Sequence, residues 1–168
     1  MNRISTWIAA PVLIVAASQS AIAAGGEIAG PYALRAGGTA AADGDSRLGY
    51  GLGISRNVGP SGRVDIDFAH QSRRGNRSQI AGVSYVHRFN FDAAGKLYGG
   101  LGVGVFHVSV KTGASGAAVD NDRVSLGGKV LVGFNMSSRM FVEAGFTKVS
   151  TVSGVDASNF GVQLGVRF

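Results

Sequence analysis

The chain is 168 residues long, with 27 glycines, 3 prolines, no cysteine, 15% charged and 45% hydrophobic residues. The length holds one domain. The lack of cysteine excludes disulfide frameworks, cysteine-bearing zinc sites, thiol nucleophiles and iron–sulfur clusters, and glycine without a triplet period or abundant proline excludes collagen. Low charge with plentiful Val, Leu, Ile and Phe argues against a disordered chain, while this much glycine weakens any helical core. The net charge is +6 and the pI near 10.2, but the basic residues are scattered apart from one cluster, so charge alone does not mark a nucleic-acid binder.

Residues 1–23 read as a secretory signal: Arg3 is the positive start, Ile8 to Ala17 the apolar stretch, and Ala21-Ile22-Ala23 the small-x-small cleavage site. The apolar stretch is shorter than the ~20 residues of a spanning helix. Export is expected, leaving residues 24–168 as one domain. No later segment has ~18 uninterrupted apolar residues, so the mature chain is either soluble or crosses a membrane as something other than helices.

From Tyr32 onward hydrophobicity alternates with period two, the mark of strands with two unlike faces. Strands are predicted at about 32–40, 47–56, 63–71, 79–91, 96–111, 123–135, 140–149 and 159–168. Short connections at Asn57 to Gly62, Asp92 to Gly95 and Met136 to Arg139 alternate with generally longer ones at Ala41 to Ser46, Ser72 to Ser78, Thr112 to Asp122 and Ser150 to Ser158. This is the rhythm of an up-and-down meander. In the fifth strand Leu101, Val103 and Val105 hold one parity and Phe106, Val108 and Val110 the other, which predicts a bulge near Phe106 and His107 and leaves the facing of His107 open.

A soluble sandwich or lipocalin-like barrel turns its apolar face inward, and a membrane barrel turns it outward. Glycine favours the second arrangement. Gly49, Gly51, Gly53, Gly100, Gly102, Gly104, Gly127, Gly133, Gly145, Gly161 and Gly165 fall largely on the polar face, where a narrow lumen needs small residues and a wetted surface does not. The same face takes Arg35, Arg47, Arg63, Asp65, Asp67, Arg88, Lys129, Glu143 and Arg167, whose mixed signs are expected to pair because an isolated buried charge is costly. The fold class is therefore all-β: an eight-stranded antiparallel up-and-down transmembrane β-barrel.

A signal segment, eight alternating strands and a last strand Phe160, Val162, Leu164, Val166, Phe168 ending on an aromatic residue resemble the small eight-stranded Gram-negative outer-membrane barrels, the group of the OmpA barrel, OmpX and the opacity proteins. The resemblance covers the mature chain. It implies that those five residues form the signal read by the barrel-assembly machinery, and a strand edge open to strand addition is a physical basis for it. It also implies that the short turns face the periplasm and the longer loops the outside, in a cell outer membrane rich in lipopolysaccharide. Arg73, Arg74 and Arg77 then fall in an outer loop, where guanidinium forks suit lipopolysaccharide phosphates or simply solvate the loop. Nucleic acid is excluded as a partner, since three arginines without interleaved aromatics are a thin footprint in the wrong compartment.

Some barrels of this size are lipid A hydrolases. His70 with Ser72 and His107 with Ser109 are the pairs that fit a base beside a hydroxyl nucleophile. A third group must orient the base. In the lipid A 3-O-deacylases a glutamate follows the His-x-Ser by about a dozen residues, whereas the strand glutamate here, Glu143, lies on the seventh strand and on the lumenal parity. No Gly-x-Ser-x-Gly, Walker or zinc-helix motif is present, and no metal or cofactor is expected. A diffusion pore is disfavoured, because side chains just fill an eight-stranded interior. The leading expectation is a structural or surface-interaction protein serving envelope integrity, adhesion to an extracellular ligand or lipopolysaccharide contact, and the alternative is a deacylase-like hydrolase.

Overall fold

A computed structural model describes residues 30–42, 47–73, 76–112, 119–152 and 154–168; the predicted signal segment lies outside them. Period-two alternation becomes eight strands: β1 Tyr32–Ala41, β2 Leu48–Val58, β3 Gly62–Arg73, β4 Asn76–Asn90, β5 Leu97–Thr112, β6 Val119–Asn135, β7 Met140–Val149 and β8 Asn159–Arg167. Each pairs antiparallel with its sequence neighbours, and β1 also pairs with β8, from Ala33 opposite Arg167 to Ala41 opposite Asn159. The sheet is thus a closed barrel, without the open edges that invite aggregation.

Closure decides what the two faces meet. Ile54, Ile66, Val83, Leu101, Val130 and Leu164 stand exposed on the outside, while Arg35, Arg63, Asp65, Lys129 and Glu143 are buried inside. This inverts a soluble barrel, so the sandwich and lipocalin-like alternatives fall. The lumenal glycines make room for rings: Gly133 lies under Tyr98, Gly165 under Phe141, and Gly82 and Gly127 flank Phe106, each so closely that an added Cβ would collide.

The connections beside Gly59, Asp92 and Ser137 are tight turns. Gly95 takes a positive φ of 64°, a conformation that costs a residue with a Cβ, and the Asp92 carboxylate accepts the Leu97 N–H at 3.1 Å. Ser137 Oγ accepts the Met140 N–H at 3.0 Å. The end of the barrel carrying these three turns is the turn end, and the other is the loop end.

Three expectations fail at the loop end. No bulge interrupts β5: its register runs unbroken from Tyr98 opposite Asn90 to Lys111 opposite Arg77 on β4, and from Leu97 opposite Phe134 to Thr112 opposite Val119 on β6. Phe106, Val108 and Val110 point inward and Leu101, Val103, Val105 and His107 outward. The sequence changes phase because the interior changes character, with no residue inserted. Nor is Ser72 to Ser78 a long loop. β3 continues through Arg73 and β4 starts at Asn76, and likewise β6 starts at Val119 instead of about 123.

Candidate functional site

The lumen is filled in layers. At the turn end, Arg88 stacks on the Tyr98 ring at 4.2 Å and Arg167 on the Phe141 ring at 4.5 Å, with Val86 and Leu131 packed against Tyr98. Cation–π contact is the favourable way to hold these guanidiniums beside rings in a narrow interior.

The next layer is ionic. β1 supplies Arg35, β3 supplies Arg63, Asp65 and Asp67 from one face, β6 supplies Lys129 and β7 supplies Glu143. Arg35 reaches Asp67 at 2.9 Å, Asp65 at 3.3 Å and Glu143 at 3.7 Å. Arg63 reaches Asp65 at 2.8 Å and binds Glu143 through both terminal nitrogens. Lys129 spans Asp65 and Asp67, both at 2.7 Å, and the Tyr98 hydroxyl donates to Glu143 at 2.8 Å. Three cations face three anions, so the layer is neutral and each ion has partners for the several kcal/mol of lost hydration. The expected pairing of lumenal charges holds for these six, whereas Arg88 and Arg167 are held against rings instead.

Toward the loop end lies a cavity of about 50 Å³, bordered by Thr39, Asp67, Lys129, Asn159 and Gln163 on its polar sides and by Phe106 above. Over it sits an apolar cap: Ile80, Phe106, Val108, Val110 and Val149 from the strands, with Val152 and Ala157 from the last loop. That loop folds into the barrel mouth. Val152 and Val155 bridge each other, Ser158 Oγ donates to the Val149 carbonyl, Arg47 donates to the Asp156 carbonyl at 3.0 Å, and Lys148 pairs with the Asp156 carboxylate at 2.7 Å.

Partial burial by itself raises the Asp156 carboxyl. Hydrogen bonds from the Lys148 ammonium and from the Ser158 side chain and backbone, with the Lys148 charge, outweigh it and bring the group down to about 2. A depressed carboxyl stabilises the fold above its unfolded value of 3.8 and loses that contribution as pH falls through about 2. The carbon-13 titration of Asp156 is therefore expected to have its midpoint near 2 and to move up toward the ordinary carboxylate range in Lys148→Met; an unmoved midpoint would show that Lys148 does not hold the loop.

The sequence-predicted site residues scatter over this frame. Arg73 has the inward parity on β3 and Arg77 the outward parity on β4. The pair does not form one face, and Arg74 lies outside the described residues. His70 and Ser72 face outward: Gln79 Nε2 lies 3.3 Å from His70 Nδ1 and Tyr50 packs on the imidazole at 5.5 Å. His107 and Ser109 also face outward. Because β6 begins early, Asp122 is a strand residue directly opposite Ser109, so Glu143 is not the carboxylate to weigh, as the sequence had suggested. No hydrogen bond joins His107 to Ser109 among the described residues. Phe160, Val162, Leu164 and Val166 lie on the outer face of β8, and Phe168 stacks on Tyr32 at 6.2 Å.

No family model matches the chain and no curated protein sequence matches it. Solved structures do. The N-terminal β-barrel domain of Pseudomonas aeruginosa OprF superposes with TM-score 0.67 at 11% identity, over 82% of this chain and 96% of that one. Neisserial surface protein A gives 0.65 at 14%, over 84% and 100%. Ail of Yersinia pestis gives 0.63 at 18%, over 84% and 100%; it has also been solved with the heparin analogue sucrose octasulfate. At these identities the likeness concerns the fold. Closed register, charged lumen and uncharged apolar belt make this chain an eight-stranded β-barrel of the outer-membrane type.

Proposed function

We propose that this barrel is an outer-membrane protein with a structural and surface-interaction role: envelope integrity, adhesion or contact with lipopolysaccharide, exported by its signal segment. One observation carries the reading. The lumen is packed from the aromatic–cation layer through the ionic layer to the apolar cap, so what the molecule meets, it meets on its outer surfaces. The loop end faces outside and the turns face the periplasm, and Phe160, Val162, Leu164, Val166 and Phe168 serve as the assembly signal. The complex of the similar Ail with a sulfated sugar supports a polyanionic ligand for this barrel.

The chain is expected to fractionate with outer membranes, to migrate heat-modifiably on gels and to leave vesicles impermeable to small sugars. Recovery as a water-soluble periplasmic protein, or sugar flux through reconstituted vesicles, would overturn this reading. Deleting the protein is expected to sensitise cells to detergent or reduce their attachment to surfaces.

Asp122 opposite Ser109, with His107 on the same face, favours a second reading as a lipid A hydrolase of the deacylase kind. Lipid A mass spectra from cells with and without the protein separate the two. The structural role predicts identical acylation, and the hydrolase predicts loss of an acyl chain that Ser109→Ala abolishes.

A further inference from the structure

Along β5 the outward face runs Leu101, Val103, Val105, His107, Ser109, Lys111, while the inward face runs Gly100, Gly102, Gly104, Phe106, Val108, Val110. At one level the apolar residues pass from outside to inside without a bulge. The neighbouring strands change at the same level. On β4, Tyr85 and Val83 outside give way to Gln79 and Arg77, and Ser84 inside gives way to Ile80. On β6, Leu126 and Val124, 79% and 65% exposed, give way to Asp122. On β3, Ile66 and Phe68 give way to His70 and Ser72. The register joins these points: Ala81 opposite His107 opposite Val124, then Gln79 opposite Ser109 opposite Asp122, with His70 opposite Gln79. The loss of apolar side chains from the outer face is a continuous front across four strands, and on β4 and β5 it coincides with their gain inside.

A sheet whose outer face is in hydrocarbon keeps apolar side chains outside, and one whose outer face is in water keeps them inside. We infer that the front is the surface of the bilayer, crossing β5 between Val105 and Ser109, and that the strand ends beyond it form a collar standing in the headgroups and the water above. Resting on the membrane reading above, this assigns a partner to the collar's rim. Arg77 and Lys111 are register neighbours on β4 and β5, both exposed, two rows beyond His107. Asp120 is directly opposite Lys111 in the β5–β6 register, and Asp122 lies one row closer to the front. Cations on long stems at this depth fit phosphate-bearing headgroups.

Two independent features agree. Leu97 through His107 is the ~9–11 residues a tilted strand needs to cross the hydrocarbon. Rings also flank the belt on both sides: Tyr32, Phe89, Phe91 and Phe168 at the turn end, and Tyr50, Phe68 and the packed pair Phe146 and Phe160 toward the loop end. Such girdles mark the two interfaces of a membrane barrel. The exchange in β5 also explains why the mouth has an apolar cap: Ile80, Val108 and Val110 pack as a core there because the outer face of the same strands is wet.

The chain has no cysteine, so single replacements Leu101→Cys, Val103→Cys, Val105→Cys, Ser109→Cys and Lys111→Cys each carry one environment-sensitive fluorophore in folded, vesicle-reconstituted protein. Labels at Leu101, Val103 and Val105 are expected to be quenched by a quencher in the lipid tails and protected from iodide. Labels at Ser109 and Lys111 are expected to lose tail quenching and become accessible to iodide. Labels at Ser109 and Lys111 as deep as that at Val103 would overturn the front while leaving the membrane reading intact. Iodide access at every position would overturn the membrane reading itself.

Vesicles of phosphatidylcholine with and without phosphatidylglycerol test the rim. The anionic lipid is expected to lower iodide access at Ser109, and Arg77→Gln with Lys111→Gln to abolish that change. Inorganic phosphate added to phosphatidylcholine vesicles distinguishes a free anion from a headgroup, because protection by phosphate alone assigns the site to soluble anions. A lipid effect that is absent, or that survives both replacements, would remove the headgroup assignment.

Discussion

Glu143→Ala is expected to lower the unfolding free energy by about 3–5 kcal/mol, the cost of removing one partner from a buried ionic cluster. The glutamate holds Arg63 through two nitrogens, accepts the Tyr98 hydroxyl at 2.8 Å and faces Arg35 at 3.7 Å. Without it, three cations remain against two anions in an interior with no bulk water to compensate. The single tryptophan lies at position 7, in the predicted signal segment, so the transition is best read in vesicles by circular dichroism or by the shift between folded and unfolded gel bands. Glu143→Gln keeps the shape and one acceptor and is expected to cost less. Both effects should persist in high salt, because buried pairs are poorly screened, whereas loosening of the exposed Lys148–Asp156 pair should depend on salt. A loss below about 1 kcal/mol for Glu143→Ala would mean that the ionic layer does not hold the barrel.

Val103→Arg is expected to cost about 2–4 kcal/mol in a bilayer, the penalty for arginine on a lipid-facing midplane site. Val103 is 70% exposed and points away from the lumen, so no packing contact inside the barrel accounts for a loss of that size. If the outer face were in water, the same exchange would stay within about 0.5 kcal/mol. Ser109→Arg, on the same face of the same strand but beyond the front, is expected to cost about 0–1 kcal/mol. The comparison of the two arginines, by urea unfolding from vesicles, separates a depth-dependent cost from a general intolerance of arginine on β5.

The barrel and its inward-facing residues were legible because one physical rule governs both. Within the membrane every strand faces lipid on one side and a crowded lumen on the other, so parity alone places Arg35, Arg63, Asp65, Lys129 and Glu143 inside and Phe160 to Val166 outside. Legibility ends where the outer medium changes. A phase change in an alternating strand has two causes, an inserted residue or a change of solvent, and Leu101 to Val110 reads the same under both until the register is known. The same ambiguity hid the start of β6: with a wet outer face, Asp120 and Asp122 interrupt the hydrophobic alternation without ending the strand. Arg73 to Arg77 looked like a loop because charge and glycine there were read against a lipid-facing template. Nothing in the periodicity announced that the last loop folds inward to place Val152 and Ala157 in the cap, since that follows from the shape of the mouth.

The collar bears on how the molecule reaches its place. A barrel delivered from the side its turns occupy must carry Arg77, Lys111 and Asp122 on its outer face through the hydrocarbon before they emerge. At the midplane each arginine or lysine adds about 2–4 kcal/mol. The feature that seats the finished protein at the bilayer surface is thus a kinetic barrier to its own insertion, and one that rises with membrane thickness. Insertion should be slow in thick bilayers, faster in thin or defect-rich ones, and faster still where an assembly catalyst thins the membrane locally.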